Sequence, residues 1–579
     1  MKKRILSLLL MVCLLLPGCQ ATQENAPSKA TDFQTFTDEL FRSYVTSDSL
    51  TLNYTLSSPE KYGITELPDG FPAFQKEDLK QNISTTENTL ARLQQFDKES
   101  LSFSDRLLYD SLSYSLRQDL EENQYLAYSY CFDPSSGIQA QLPVLLSEFL
   151  FNDRTDIEQY LALIQSLPDY FASLLSLEKA KTKQGTLPCK TTLQNTVSQC
   201  QEFLNSSGTT AIRESFQKSL TELSFLSEKE RVSWQRKQEQ YLETYFIPAY
   251  QSLVTDLQKL ISAAPEDGAI ASYPKGKAYY VHLIKQKTGT DLSPEQLDTE
   301  LTNTLTSAEQ NLFSIAAKNP SAFISCENYT SRYTDPRQTL LTLRRKTAED
   351  FPSLASQTCH IRYVDSSLED FLSPAFYLTP PIDEQTANVI YINGSPRYSH
   401  SSLFNTLAHE GYPGHLYQNC YIRQKNLRTL RYALNFPGYT EGYATYVEIY
   451  SYQYLDAPEE EMLILQNNAI STHCIYALCD LGIHYKHWNR KQLGTFLQAH
   501  GIYAEDSVNS IYQNIIDSPG SYLPYTVGYL EIQKLKKTFQ KAAGNAYTDK
   551  LFHTWLLDAG PAPYTILHKY ISAWLAERT

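Results

Sequence analysis

The chain has 579 residues, with 50 Lys and Arg against 64 Asp and Glu, for a formal net charge of −14. That balance, with no basic stripe, excludes nucleic acid as a partner and disfavours adhesion to anionic surfaces. The length allows several domains, but a large helical enzyme fills it with one intertwined body.

The first twenty residues, MKKRILSLLLMVCLLLPGCQ, read as an address and not as part of the fold. Lys2, Lys3 and Arg4 form a positive start and Ile5 to Leu16 an apolar run, too short for a hydrocarbon core that needs roughly 20 residues. The run ends in Leu16-Pro17-Gly18-Cys19, which resembles a bacterial lipobox, although Pro17 is an unusual choice inside it. The reading is a lipoprotein signal peptide over 1–18 and a lipidated Cys19 that anchors the chain to the outer face of the cytoplasmic membrane. An ordinary cleaved signal peptide is the alternative, and it too exports the protein. Removing residues 1–18 moves the net charge from −14 to −17.

Residues 19–32 are small and polar, as a tether would be. From Phe33 to Leu260 the apolar residues recur at helical spacing, for example Leu145, Leu146, Phe149 and Leu150. Pro168 is expected to kink or end the helix before it. Ser293-Pro294-Glu295-Gln296 has the form of a capping box that opens a helix. The expected division is an N-terminal helical part over 33–300 and a catalytic part over 301–579. Within the latter, HIRYV and ANVIYIN (360–364 and 387–393) are β-branched and aromatic, and a Pro-rich stretch separates them. A small sheet is expected there, with the second strand offering its edge to an extended substrate. Helices resume beyond it, so the class is mainly α.

Cys131, Cys189, Cys200, Cys326, Cys359, Cys420, Cys474 and Cys479 remain after the signal region, an even count that permits disulfides. Cys189 and Cys200 are the first candidates for a local bridge. No CxxC pair appears, which argues against a cysteine zinc site.

The chemistry concentrates at SSLFNTLAHEGYPGH (401–415). A serine cap and the stripe Leu403, Phe404, Leu407 and Ala408 predict a helix that delivers His409 and Glu410. Two zinc-binding histidines on one helix are normally four residues apart. Here His415 follows His409 by six, which rotates its ring about 120° away on an ideal helix. Pro413 breaks the helix and Gly414 permits a conformation closed to other residues, so a bulge or break can return His415 to the metal. Thr440 is expected to cap a helix that begins at Glu441, the third ligand, with Glu448 two turns on as acceptor for a ligand imidazole. For an oxyanion donor the candidates are Tyr525 and His484, the latter with Asp480 one turn before it. Asp480, His484 and His487 also make a rival metal site, at i, i+4 and i+7 of one helix. His282 and His553 are further candidates to line the cleft.

HEGYPGHLYQ (409–418) with EGYATYVE (441–448) resembles the bacterial domain-of-unknown-function family 885, grouped with the gluzincin-type metallopeptidases. KAYYVHLIKQKTGTDLSPEQL (277–297), CDLGIHYKHW (479–488), YTVGYLEIQKL (525–535) and FHTWLLDAGPAPYTIL (552–567) resemble it too, so the likeness runs from about residue 35 to 575. Tyr443 stands where the family more often has Trp. The resemblance implies a helical zincin-like fold and zinc peptidase activity. The expected chemistry has His409, His415 and Glu441 holding Zn²⁺ while Glu410 serves as general base to a water that attacks a peptide bond. An amidase acting on cell-wall peptides and a catalytically silent binding lipoprotein are the alternatives. Oligomeric state and exo- or endopeptidase action are not legible.

Overall fold

The structure, a computed structural model, describes residues 30–577 apart from 206–207, 328–332, 356, 365–368, 370–372, 385–387, 396–397 and 399–402. The signal segment, Cys19 and the Ser401–Ser402 cap lie outside these residues. The last positions of the expected tether, 30–32, already belong to the helix Ala30–Val45.

Helix α1 (Arg154–Gln184) shows why the chain is helical. Ile157, Leu161, Ile164, Leu167, Phe171 and Leu175 make one buried stripe, and Asp153 with Asp156 caps the start. The helix continues through Pro168 and does not end there. The stripe continues on both sides of the proline, and its burial outweighs the one hydrogen bond lost there. Helices α2 (Lys190–Asn205) and α3 (Ile247–Ile261) pack on α1 around Phe203, Phe246 and Tyr250. Helix α4 (Gly276–Thr288) then leads to α5 (Pro294–Lys318), whose start is the predicted box: Ser293 N–H donates to Gln296 Oε1 and Gln296 N–H to Ser293 Oγ. Helix α5 passes through residue 300 without a break. Phe33, Phe36 and Leu108 share a core with Tyr443 and Trp555, so packing does not divide at the expected boundary.

The Cys189–Cys200 bridge does not form; all eight described cysteines are free. Helix α2 begins directly after Cys189 and carries Cys200 roughly 15 Å along its axis. The Cys189 thiol instead shares a hydrogen bond with Thr192 Oγ1 at 3.3 Å.

The sheet has three strands, β1 (Cys359–Tyr363), β2 (Ala375–Leu378) and β3 (Asn388–Ile392), in the order β1-β3-β2. Strand β3 pairs parallel to β1 and antiparallel to β2. One face, with Tyr377, Ile390 and Ile392, joins the core that also holds Leu407 and Tyr443; the other, with Phe376, Val389 and Tyr391, rests on Val144 and Ala211. Strand β3 was expected to present an edge, yet it is central and buried throughout, as its unbroken apolar run NVIYI requires. The edge that meets Glu410 is β2, which comes from the Pro-rich stretch read as a connection.

The remaining elements that shape the site are α6 (Leu403–Glu410), α7 (His415–Gln424), α8 (Pro437–Tyr450), α9 (Glu459–His484) and α10 (Leu523–Ala543). Helix α8 starts at Pro437 rather than after Thr440, because proline suits the first helical position and Phe436 serves as cap. Helices α8 and α10 meet at two glycines. A Cβ on Gly442 would lie 2.4 Å from Gly528 Cα, so only glycine allows this approach.

Candidate metal centre

Leu403, Phe404, Leu407 and Ala408 anchor α6 in the core, and His409 and Glu410 form its C-terminal end. The chain then leaves the helix at Gly411–Gly414, with a cis Tyr412–Pro413 peptide, and starts α7 at His415. The proline thus ends one helix and the next residues open another, a full break where a bulge was the other option. Gly414, at φ −78° and ψ −139°, is required in this turn, because a Cβ there would sit 1.7 Å from His409 O. Tyr443 on α8 donates its hydroxyl to Pro413 O at 2.9 Å and so holds the turn.

The turn brings two rings six positions apart to a centroid separation of 4.9 Å at 81°. Glu441 Oε2 lies 3.7 Å from His409 Nε2 and 3.6 Å from His415 Nε2. These separations are too long for hydrogen bonds but close to the roughly 3.4 Å expected between donors on one tetrahedral ion with bonds near 2.1 Å. Glu441 Oε2 is buried and has no hydrogen-bond partner. His409, His415 and Glu441 can therefore hold a metal ion, and among the described residues no other His, Cys, Asp and Glu group of three or more can. Glu448 Oε2 lies 3.0 Å from His409 Nδ1, on the side of the ring away from Glu441. Burial opposes charge on His409, but Glu441 and Glu448 raise its pKa to about 10. Burial likewise works against the Glu441 carboxylate, which His415 and His409 nevertheless hold down at about 2. The pocket thus favours positive charge between these carboxylates, as a cation site must.

Glu410 accepts the Tyr377 N–H of β2 on Oε2 at 2.9 Å. Burial raises its pKa above the usual carboxylate value, partly offset by the two imidazoles and this N–H. Tyr377 was not singled out from sequence; the alternation in Ala375-Phe376-Tyr377-Leu378 was the available signal. Tyr525 is placed by the α8–α10 glycine contact, its ring stacked on His409 at 6.3 Å and 25°.

The other candidates lie elsewhere. His484 is fully buried; its Nδ1 accepts the Ile270 N–H at 3.2 Å and its Nε2 faces Ile515 O at 2.9 Å. Both nitrogens are committed to backbone, which removes His484 as an oxyanion donor. Asp480 does not orient it, since that carboxylate accepts from Tyr280 Oη and Gly520 N–H. The rival metal site fails because α9 ends at His484, so His487 leaves the helical face, takes φ 63° and pairs with Asp267 at the surface. His553 is held in the core by Tyr446 Oη and Asp350 O, and His282 is buried beside Tyr125.

Fold and site together define a mainly helical protein with a small mixed sheet and a two-histidine, one-glutamate group able to hold a metal ion. The chain belongs to the family described as "Bacterial protein of unknown function (DUF885)", whose profile matches residues 60–571. Two solved structures are similar. A "putative lipoprotein" from Colwellia psychrerythraea shares 19% identity with a TM-score of 0.82, covering 95% of this chain and 100% of that one. A "putative lipoprotein of unknown function" from Shewanella oneidensis shares 16% identity with a TM-score of 0.67, covering 94% and 100%. At such identities the likeness is one of fold. No curated protein matches the chain.

Proposed function

We propose that the chain is an exported zinc peptidase of gluzincin type, anchored through Cys19, that hydrolyses oligopeptides. The observation that carries this reading is the meeting of His409 Nε2 and His415 Nε2 on one buried Glu441 oxygen at 3.7 and 3.6 Å, with Glu410 adjacent in sequence. Zinc held there would lower the pKa of a water towards neutrality and polarise a carbonyl. Glu410 takes the proton of the attacking water and passes it to the leaving amine. Its raised pKa suits a carboxylate that must carry a proton between the two steps, and the Tyr377 N–H fixes its orientation. Glu448 accepts the His409 Nδ1–H, which leaves the Nε2 lone pair for the metal. Tyr525, stacked on His409, is the donor to the developing oxyanion.

A peptide substrate is supported by β2. Asn393 N–H bonds to Pro374 O, so alternate residues 374, 376 and 378 face β3 while 375 and 377 face outward. On that outer edge Tyr377 N–H is held by Glu410 and Ala375 O by Ser373 Oγ, so an extended chain would pair with Ala375 N–H and Tyr377 O. The lipid anchor is supported by the LPGC segment, and no described helix is long and apolar enough to cross a membrane. Cys19→Ser should abolish incorporation of labelled fatty acid.

The decisive experiment is a digest of peptide libraries and cell-wall fragments with and without chelator, paired with metal analysis. Glu410→Gln should keep its zinc and lose about 10²- to 10⁴-fold in rate. Full activity in that variant refutes the assignment; cleavage confined to cell-wall fragments favours an amidase.

A further inference from the structure

We propose that Cys359 and Cys420 form a reversible disulfide, a modification site that ties α7, the helix opening with His415, to strand β1. Cys359 is the register partner of Asn388 across the parallel β1–β3 pair. The two side chains therefore leave the same face of the sheet, from Cα atoms one strand spacing apart, about 4.8 Å. Helix α7 lies over that face, and Cys420 Sγ donates to Asn388 Oδ1 at 3.4 Å. Tyr377 Oη donates to the same oxygen at 2.8 Å. Cys420 thus touches the side chain beside Cys359 on the sheet, and the Cys359 thiol itself donates to His360 O at 3.8 Å. Cys189 and Cys200, close in sequence, share no such neighbour.

Burial pushes both thiols up to about 11, and the nearness of Cys420 adds to the rise at Cys359. Exchange is accordingly slow at neutral pH and faster in mild alkali, since the thiolate is the nucleophile. Cys359, the more exposed of the two, attacks a small disulfide such as glutathione disulfide. That S–S bond breaks, one glutathione thiolate leaves, and Cys359 is held as a mixed disulfide. Cys420 loses its proton to solvent and attacks Cys359 Sγ, and the second glutathione thiolate departs. The two protein thiols are oxidised by two electrons, and one disulfide is reduced to two thiols.

The link removes the Cys420 donor from Asn388 and draws α7 towards β1. It thereby acts on the helix that carries His415 and on the amide that holds Tyr377, whose N–H orients Glu410. Oxidation is expected to lower hydrolysis, and this consequence alone rests on the peptidase reading.

The test uses the full chain, zinc-loaded, incubated with glutathione disulfide in mild alkali, then alkylated and peptide-mapped. The expected result is a pair of peptides joined through residues 359 and 420, absent from Cys359→Ser and from Cys420→Ser and reversed by dithiothreitol. Both thiols still alkylated, glutathione left on Cys359, or Cys420 joined to another cysteine each overturn the proposal. Hydrolysis should fall several-fold on oxidation of the parent chain and stay level in Cys359→Ser. A linked chain with undiminished hydrolysis overturns the coupling to the site. A chain that links but cleaves nothing in either state overturns the peptidase reading and leaves the thiol pair standing.

Discussion

Two segments of this protein set histidines and carboxylates close together, and they end in opposite conditions. Around His484, every polar atom of the imidazole meets a backbone group, and Asp480 meets a hydroxyl and an N–H. Around His409 and His415, two nitrogens and a buried carboxylate oxygen converge at 3.6–3.7 Å with no hydrogen bond among them. Burying an acceptor without a donor costs about 1–3 kcal/mol, so a fold keeps such a cluster only where something else compensates. What separates a metal site from a polar core is therefore convergence left unsatisfied, and not ligand spacing along one helix.

The sharpest way to break this comparison is to remove one imidazole from each segment. His409→Ala should lose stoichiometric zinc and all hydrolysis above background, whereas His487→Ala should keep both; metal analysis that reverses the two results would move the site to α9. Tyr525→Phe tests the residue stacked on His409. Loss of an oxyanion donor should cost about 10²- to 10³-fold in kcat with zinc retained, and an unchanged kcat would remove Tyr525 from the chemistry. Glu448→Gln should weaken metal affinity or activity about 10- to 100-fold, read by competition with a chelating dye.

The smallest effect belongs to the satisfied segment. Burial lowers the His484 pKa to about 4. Above the unfolded value near 6.5 both states are neutral and stability is complete. As pH falls from 6.5 towards 4 the unfolded chain takes up a proton that the native ring refuses, so up to about 3 kcal/mol is lost. His484→Gln should be less stable at neutral pH yet lack this acid-side slope when melts of the two chains are compared. Parallel slopes would show that the ring is not held neutral.

Much of the fold was legible because local rules agreed with the packing. The α1 stripe, the Ser293 box and strands β1 and β3, though not β2, were readable from local pattern and end signals. The failures have two causes. The continuation of α1 through Pro168 depends on what packs against it, which no local window contains, whereas Pro437 at the start of α8 and the unbroken apolar run of β3 were local signals given too little weight. The Cys189–Cys200 pairing failed on helix geometry: two positions eleven apart are near in the chain but far apart once helical.

Sequence by itself determined the residue types of the site and the need for a break at Tyr412-Pro413-Gly414, because two histidines six positions apart cannot share an ion on one unbroken helix and the Pro-Gly pair is the weak point between them. Only the tertiary structure decided which carboxylates and amides meet there. Tyr443 pins the turn, β2 delivers an N–H to Glu410, and Gly442 against Gly528 lets α10 bring Tyr525 over His409. Those contacts join residues distant in the chain, and their geometry is set by close packing of helices and not by any local preference.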